Sequence, residues 1–141
     1  MKIRDVMTPN PKTVSPNDTV QTAAKVMQAE DTGAVPVVQN GQVLAVVTDR
    51  DIAIRVVAEG GSFSSPVGHI ASKTVVCATP DMSTSEAGEL MSEHQIRRLP
   101  VVENDRLVGI VSIGDLAVKE GKDSRWGDTL QSISEGVKEK L

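Results

Sequence analysis

Aromatic residues are almost missing from this chain: among 141 residues there are one Phe, one Trp and no Tyr. A base bound here cannot be stacked between repeated rings, as single-strand binders usually do, and aliphatic walls would have to hold it. Cys77 is the single cysteine, which excludes an intrachain disulfide, and with His69 and His94 it makes no zinc spacing. No run approaches the roughly 18 apolar residues of a membrane span, and no charged-then-apolar leader follows Met1. A cytoplasmic protein without membrane attachment is expected. The net charge of -4, without a basic tract, argues against nucleic-acid binding, which rests on Lys and Arg neutralising phosphates. Catalytic signatures are missing too: there is no Walker-type glycine loop, no H-E-x-x-H and no Ser-His-Asp set in motif context. Asp49 and Asp51 make a thin magnesium pair, since that ion is usually held largely by substrate phosphate and water. Neither an enzyme nor a metal site is expected.

What is present is a duplication. At a constant offset of 64 residues, without a gap, Val6 to Ile54 overlays Ile70 to Val118. Pro16 falls on Pro80, Ala23 on Ala87, Met27 on Met91, Pro36-Val37-Val38 on Pro100-Val101-Val102, Asn40 on Asn104, Val47 on Val111, Asp51 on Asp115 and Ala53 on Ala117. Most other pairs exchange like for like, so fold and site should come in twos. The length suits one compact domain, and a half of about 50 to 60 residues buries too little surface to be stable alone; one shared core is expected. The divisions read as a first repeat over 1–59, a flexible linker over 60–69 (Gly60-Gly61-Ser62-Phe63-Ser64-Ser65-Pro66 at its start), a second repeat over 70–120 and a tail over 121–141.

Each repeat reads as strand, helix, strand, strand, helix. In the first, Lys12-Thr13-Val14 is extended, and a turn at Ser15-Pro16-Asn17-Asp18 leads to a helix capped by Thr19, with Val20, Ala23, Ala24 and Met27 on one stripe. The second starts its helix with a capping box, Ser83-Thr84-Ser85-Glu86. Ala34–Val38 and Val43–Val47 flank Asn40-Gly41, a hairpin signal, and Leu99–Val102 and Leu107–Val111 flank Asn104-Asp105. Such continuous apolar strands demand burial on both faces. A second helix should run from about Asp49 to Ala58, and from about Ile113 to Glu120, stopped by Gly60 and Gly121. In the tail, Trp126, Leu130, Ile133, Val137 and Leu141 form an amphipathic helix interrupted by Gly136. That stripe packs on its own domain or serves a partner.

The chemistry concentrates where the last strand of each repeat enters its second helix. Thr48-Asp49-Arg50-Asp51 and Ser112-Ile113-Gly114-Asp115 share a hydroxyl residue followed three positions later by Asp. One reading is a pair of helix caps. In the other, the hydroxyl and the free N–H groups of the helix start receive a phosphate, and the carboxylate grips a ribose diol as the acidic residue of a dinucleotide fold does.

The duplicated unit, with AVPVV followed by TDRD and IRRLPVV followed by SIGD, resembles a tandem pair of CBS domains (the module named after cystathionine β-synthase) over roughly Met1 to Lys119. The resemblance implies an α/β fold (α+β) of two βαββα repeats packed in a pseudo-twofold disc, here followed by the amphipathic tail helix. It also implies adenosine-containing ligands (AMP, ADP, ATP or S-adenosylmethionine) in two clefts between the repeats, as regulatory ligands rather than obligatory cofactors. Carried over by motif, Asp51 and Asp115 bind ribose and Thr48 and Ser112 contact phosphate. The base lies against Thr13, Val14, Ala34, Val35 and Pro36 in one cleft and against Val76, Cys77, Leu99 and Pro100 in the other. Arg97 and Arg98 occupy a position that reaches phosphate in the family, where the first repeat has Gly33-Ala34, so the clefts should be unequal, with Arg50 as the first repeat's substitute. Met7 is the family's usual residue before the first strand, and its replacement by Ala71 should loosen the second cleft. Gly114, opposite Arg50, either eases a close backbone approach or weakens a helix start.

Three functions remain: a nucleotide-sensing regulatory module; a ligand-free dimerisation scaffold whose T-x-x-D pairs only cap helices; and a small hydrolase or metal-dependent enzyme. For the first two the resemblance implies a homodimer, with an unidentified protein target.

Overall fold

The computed structural model describes residues 1–73, 75–119 and 125–140. In chain order the elements are α1 (Ile3–Val6), β1 (Thr8–Pro9), α2 (Val20–Glu30), β2 (Ala34–Gln39), β3 (Gln42–Thr48) and α3 (Asp49–Ile52), which a π-helical turn continues over Ala53–Val57. A 3-10 turn (Val67–His69), α4 (Thr84–His94), β4 (Arg98–Glu103), β5 (Arg106–Ser112), α5 (Ile113–Lys119) and α6 (Arg125–Lys140) complete the chain. This is the mixed α/β fold that the duplicated pattern predicts. The leading strand of each repeat is reduced to a single parallel bridge, Val14 to Val37 and Ala78 to Val101.

Local sequence explains the elements. Thr19 and Ser83 cap α2 and α4, their hydroxyls accepting the Thr22 and Glu86 N–H groups at 3.1 Å. Of the capping box expected at α4 only this hydroxyl half is formed; Ser83 is engaged in an antiparallel bridge with Lys2. Both helices end on a residue in the left-handed region, Asp31 (φ 51) and Gln95 (φ 55). The Asn40-Gly41 turn has φ of 55 and 82, the doubly positive pair that a tight hairpin requires, and it joins β2 to β3 in an antiparallel register from Ala34↔Thr48 to Gln39↔Gln42. Asn104 and Asp105 repeat this between β4 and β5 with φ of 51 and 61. On α2, Val20, Ala23 and Met27 are buried, whereas Ala24 is exposed and the half-buried Val26 packs on the core in its place.

The chain forms two units, each with its own core, where one shared core was expected. The first-repeat unit comprises Pro11–Val75 with Asp105–Leu107; the second-repeat unit comprises Met1–Asn10, Val76–Asn104 and Val108–Leu141. Two cores suffice because each is larger than a bare repeat. Ile3 and Val6, which open the first repeat, are buried with Met91, Leu99 and Val111 of the second. The equivalent residues 64 positions on, Val67 and Ile70, are buried with Val35, Val37 and Val47 of the first. Thr8 pairs with Ile110 on β5, and Ser72 bridges Val46 on β3 at the matching place. The leading segments are thus exchanged between repeats, which composition and periodicity do not reveal. Lys2 and Arg4 ion-pair with Asp81, and the Arg4 guanidinium holds the Asp81 carboxyl below its usual range. These groups are exposed, so they add little to stability.

The linker is not free chain. The carbonyls of Ser65 and Phe63 accept the N–H groups of Val20 and Gln21 at 2.9 Å, satisfying donors that a helix start leaves orphaned. The second helix of the first repeat is α-helical only to Ile52 and ends near Gly60, whose φ is 69. Helix α6 runs unbroken through Gly136 and packs on its own unit, with Trp126 and Ile133 in the core and Leu130 exposed. Gly121 and Leu141 lie outside the described residues, as does the Val137 side chain.

Candidate functional site

Each unit presents one strand-to-helix junction, and the two are built by the same hydrogen bonds at the 64-residue offset. At the end of β3 the Thr48 N–H donates to Asp51 Oδ2 at 2.9 Å while the Asp51 N–H donates to Thr48 Oγ1 at 3.1 Å. At the end of β5 the Ser112 N–H donates to Asp115 Oδ2 at 2.9 Å and the Asp115 N–H to Ser112 Oγ at 3.0 Å. Both T-x-x-D motifs therefore form a reciprocal capping box. A carboxylate has about four acceptor positions, so capping occupies only one of them. All four side chains are half-buried, neither locked in the core nor free in solvent.

The neighbouring strand is fixed by equally matched bonds. The Asp49 N–H donates to the Gly33 carbonyl, and the Ile113 N–H to the Arg97 carbonyl, each at 2.9 Å. The Val14 N–H donates to the Pro36 carbonyl at 3.1 Å and the Ala78 N–H to the Pro100 carbonyl at 2.8 Å. The first-repeat unit thus gathers Thr13, Val14, Ala34, Val35, Pro36, Thr48, Arg50 and Asp51, and the second-repeat unit gathers Val76, Cys77, Arg97, Arg98, Leu99, Pro100, Ser112 and Asp115.

Within those sets the roles differ from expectation. Val14, Val35 and Leu99, read as walls for a base, are core side chains exposed by 3%, 0% and 0%, and Ala34, Pro36 and Pro100 are also buried. The accessible wall reduces to Thr13 on one side and the half-buried Val76 and Cys77 on the other. Burial pushes the Cys77 thiol above its ordinary pKa. The free N–H groups expected at the first junction are all taken: Asp49 gives its own to Gly33, Arg50 to Asp49 Oδ1 at 2.9 Å and Asp51 to Thr48. A phosphate here would find no unclaimed donor in that first turn. Met7 packs over Gly109 in the second-repeat unit, and Ala71 joins the core of the first. A Cβ on Gly114 would meet only Ser112 Oγ, at 3.6 Å; no close approach within the protein requires a glycine there.

Sequence reasoning missed two basic residues. Arg55 donates to the Ile70 carbonyl at 2.9 Å and its Nε lies 3.9 Å from Asp51 Oδ1. Its equivalent 64 positions on, Lys119, donates to the Val6 carbonyl at 3.0 Å. Each fastens an exchanged leading segment to the helix that carries the junction carboxylate. The signal was available, since Arg55 and Lys119 align as a charge-conserving pair just past the last overlaid residues. Among the described residues no three His, Cys, Asp or Glu are grouped to hold a metal ion, and no helix is long and apolar enough to cross a membrane.

Comparison with known proteins identifies the family. A sequence model of the CBS domain matches residues 3–58 and 67–119. The CBS domain-containing protein YhcV of Bacillus subtilis is 46% identical over 132 residues, 94% of each chain. Among solved structures, the CBS domain pair of protein MJ0100 in complex with 5'-methylthioadenosine and S-adenosyl-L-methionine superposes with a TM-score of 0.78 at 26% identity, covering 86% of this chain and 96% of that one. The CBS domain protein PAE2072 from Pyrobaculum aerophilum, complexed with AMP, gives 0.76 at 26% identity, covering 83% and 91%.

Proposed function

The chain belongs to the CBS domain family, and we propose on that footing that it is a regulatory sensor of adenosine-containing ligands, with AMP, ADP, ATP and S-adenosylmethionine as the candidates. The observation that carries this reading is the reciprocal hydroxyl–carboxylate pair, presented at both junctions by the same bonds. Relatives of the same fold hold AMP, 5'-methylthioadenosine and S-adenosylmethionine. The spare acceptor positions of Asp51 and Asp115 suit a ribose diol, and Arg97 and Arg98 suit phosphate through charge-assisted bonds. Catalysis is not part of this reading; ligand occupancy would act by biasing a conformation that a target protein reads.

The capping boxes favour a second reading, in which both aspartates merely finish helices and the protein is a ligand-free scaffold. Thermal denaturation separates the two. A ligand at 100 times its dissociation constant should stabilise the fold by about 2.7 kcal/mol. Asp115→Ala should lower that gain while costing about 1 kcal/mol for the lost cap bond. No response to any of the four compounds at millimolar concentration would leave the scaffold.

Self-association fits either reading. Ile54 and Val57, on the π-helical turn of the first repeat, and Val118, the equivalent of Ile54 on α5 of the second, are exposed by 46%, 72% and 81%. We expect light scattering to give the mass of a homodimer, and Val118→Glu to shift it toward the monomer. A monomeric wild type would end that expectation.

A further inference from the structure

The two junctions share a backbone and differ in charge, and from that difference we propose that Asp49 closes the first-repeat junction to phosphorylated ligands. That junction is left to adenosine derivatives that are neutral or cationic beyond the ribose, while the second-repeat junction takes phosphorylated ones. The proposal rests on the ligand class argued above and refines it.

Gly33 is equivalent to Arg97 at the 64-residue offset, and Asp49 to Ile113; the same 2.9 Å backbone bond joins each pair. One frame thus carries opposite chemistry. Gly33 has no side chain, and the Asp49 carboxylate lies beside it, its oxygens 2.9 and 3.2 Å from where a Cβ would be. Oδ1 also accepts the Arg50 N–H at 2.9 Å, so the carboxylate is held in place. In the second junction the frame bears Arg97, with Arg98 beside it, and Ile113 brings no charge.

The balance of charged side chains follows. The first junction sets Asp49 and Asp51 against Arg50 and Arg55, and Arg55 is already engaged by the Ile70 carbonyl. The second sets Asp115 alone against Arg97, Arg98 and Lys119, and Lys119 is likewise engaged, by the Val6 carbonyl. A phosphate entering the first junction would face a fixed carboxylate and repulsion between like charges. Entering the second it would find guanidinium groups whose fork matches its oxygens. The ribose diol does not discriminate, because the hydroxyl–carboxylate pairs are alike.

Calorimetric titration of the full chain with AMP and with adenosine tests this. Wild type is expected to bind one AMP per chain. Asp49→Asn keeps an acceptor for the Arg50 N–H and nearly the same volume but loses the charge, and it is expected to bind two. At the added site the ratio of AMP to adenosine affinity should rise roughly tenfold. Two equal AMP sites in wild type, or one in Asp49→Asn, would overturn the role of Asp49 and leave the ligand class standing. If neither protein binds either compound, the ligand class itself fails and this inference falls with it.

Discussion

Trp126→Ala is expected to destabilise the second-repeat unit by about 3–5 kcal/mol, the usual cost of deleting a large buried ring. Trp126 is 3% exposed and shares a core with Ile3, Val6, Met91 and Leu99. Its ring lies so close to Gly88 that a Cβ there would stand 2.6 Å from Cζ3, a separation real side chains do not tolerate. Removing the ring therefore opens a cavity against a position, Gly88, that has no side chain to fill it. Leu130, on the same helix but 40% exposed, serves as the control, and its replacement by Ala should cost much less. Urea unfolding followed by far-UV circular dichroism measures both. If Trp126→Ala costs less than about 1 kcal/mol, α6 is not part of the core.

Ile3→Ala should cost about 2–5 kcal/mol, the range for truncating a fully buried aliphatic side chain. The cost falls on a residue of the first repeat's leading segment, yet it is borne by the core of the second-repeat unit. The reason is the exchange of leading segments. Ile3 is fully buried, its N–H donates to the Met82 carbonyl at 2.9 Å, the Arg4 N–H to Pro80 at 3.0 Å, and the Thr84 N–H to Met1 at 3.0 Å. These bonds tie α1 to the start of α4 from both sides. Thermal melts of Ile3→Ala and of Met1→Ala, whose side chain is 63% exposed, give the comparison. Equal melting temperatures would mean that the segment contributes nothing by packing.

Most of the architecture was legible because the signals were local. The caps at Thr19 and Ser83, the Asn-Gly turn and the apolar strands each depend on neighbours within a few residues, and duplication let one repeat check the other. The site was half legible. The spacing of hydroxyl and carboxylate predicted both a cap and a ligand contact, and a cap is what the bonds show, with acceptor capacity left over. What escaped depends on distant contacts. Ile3 and Val6 announce burial by being apolar, but nothing local says that their partners lie some eighty residues away. The π-helical turn after Ile52 gives no compositional warning. Asp49 looked like half of a weak magnesium pair, and only the space left by Gly33, sixteen residues earlier, gives its carboxylate a fixed place.

The traded leading turns also impose an order on synthesis. Nearly all of the unit over Pro11–Val75 is one contiguous stretch, so all of its core residues have been synthesised once Ala71 has been added. The segment Met1 to Asn10, made earlier, has no resting place until Val111, Leu116 and finally Ile133 have followed it. Residues made before the whole of the first core are thus among the last to be seated, and until then their apolar side chains stay open to whatever holdase or neighbour they meet.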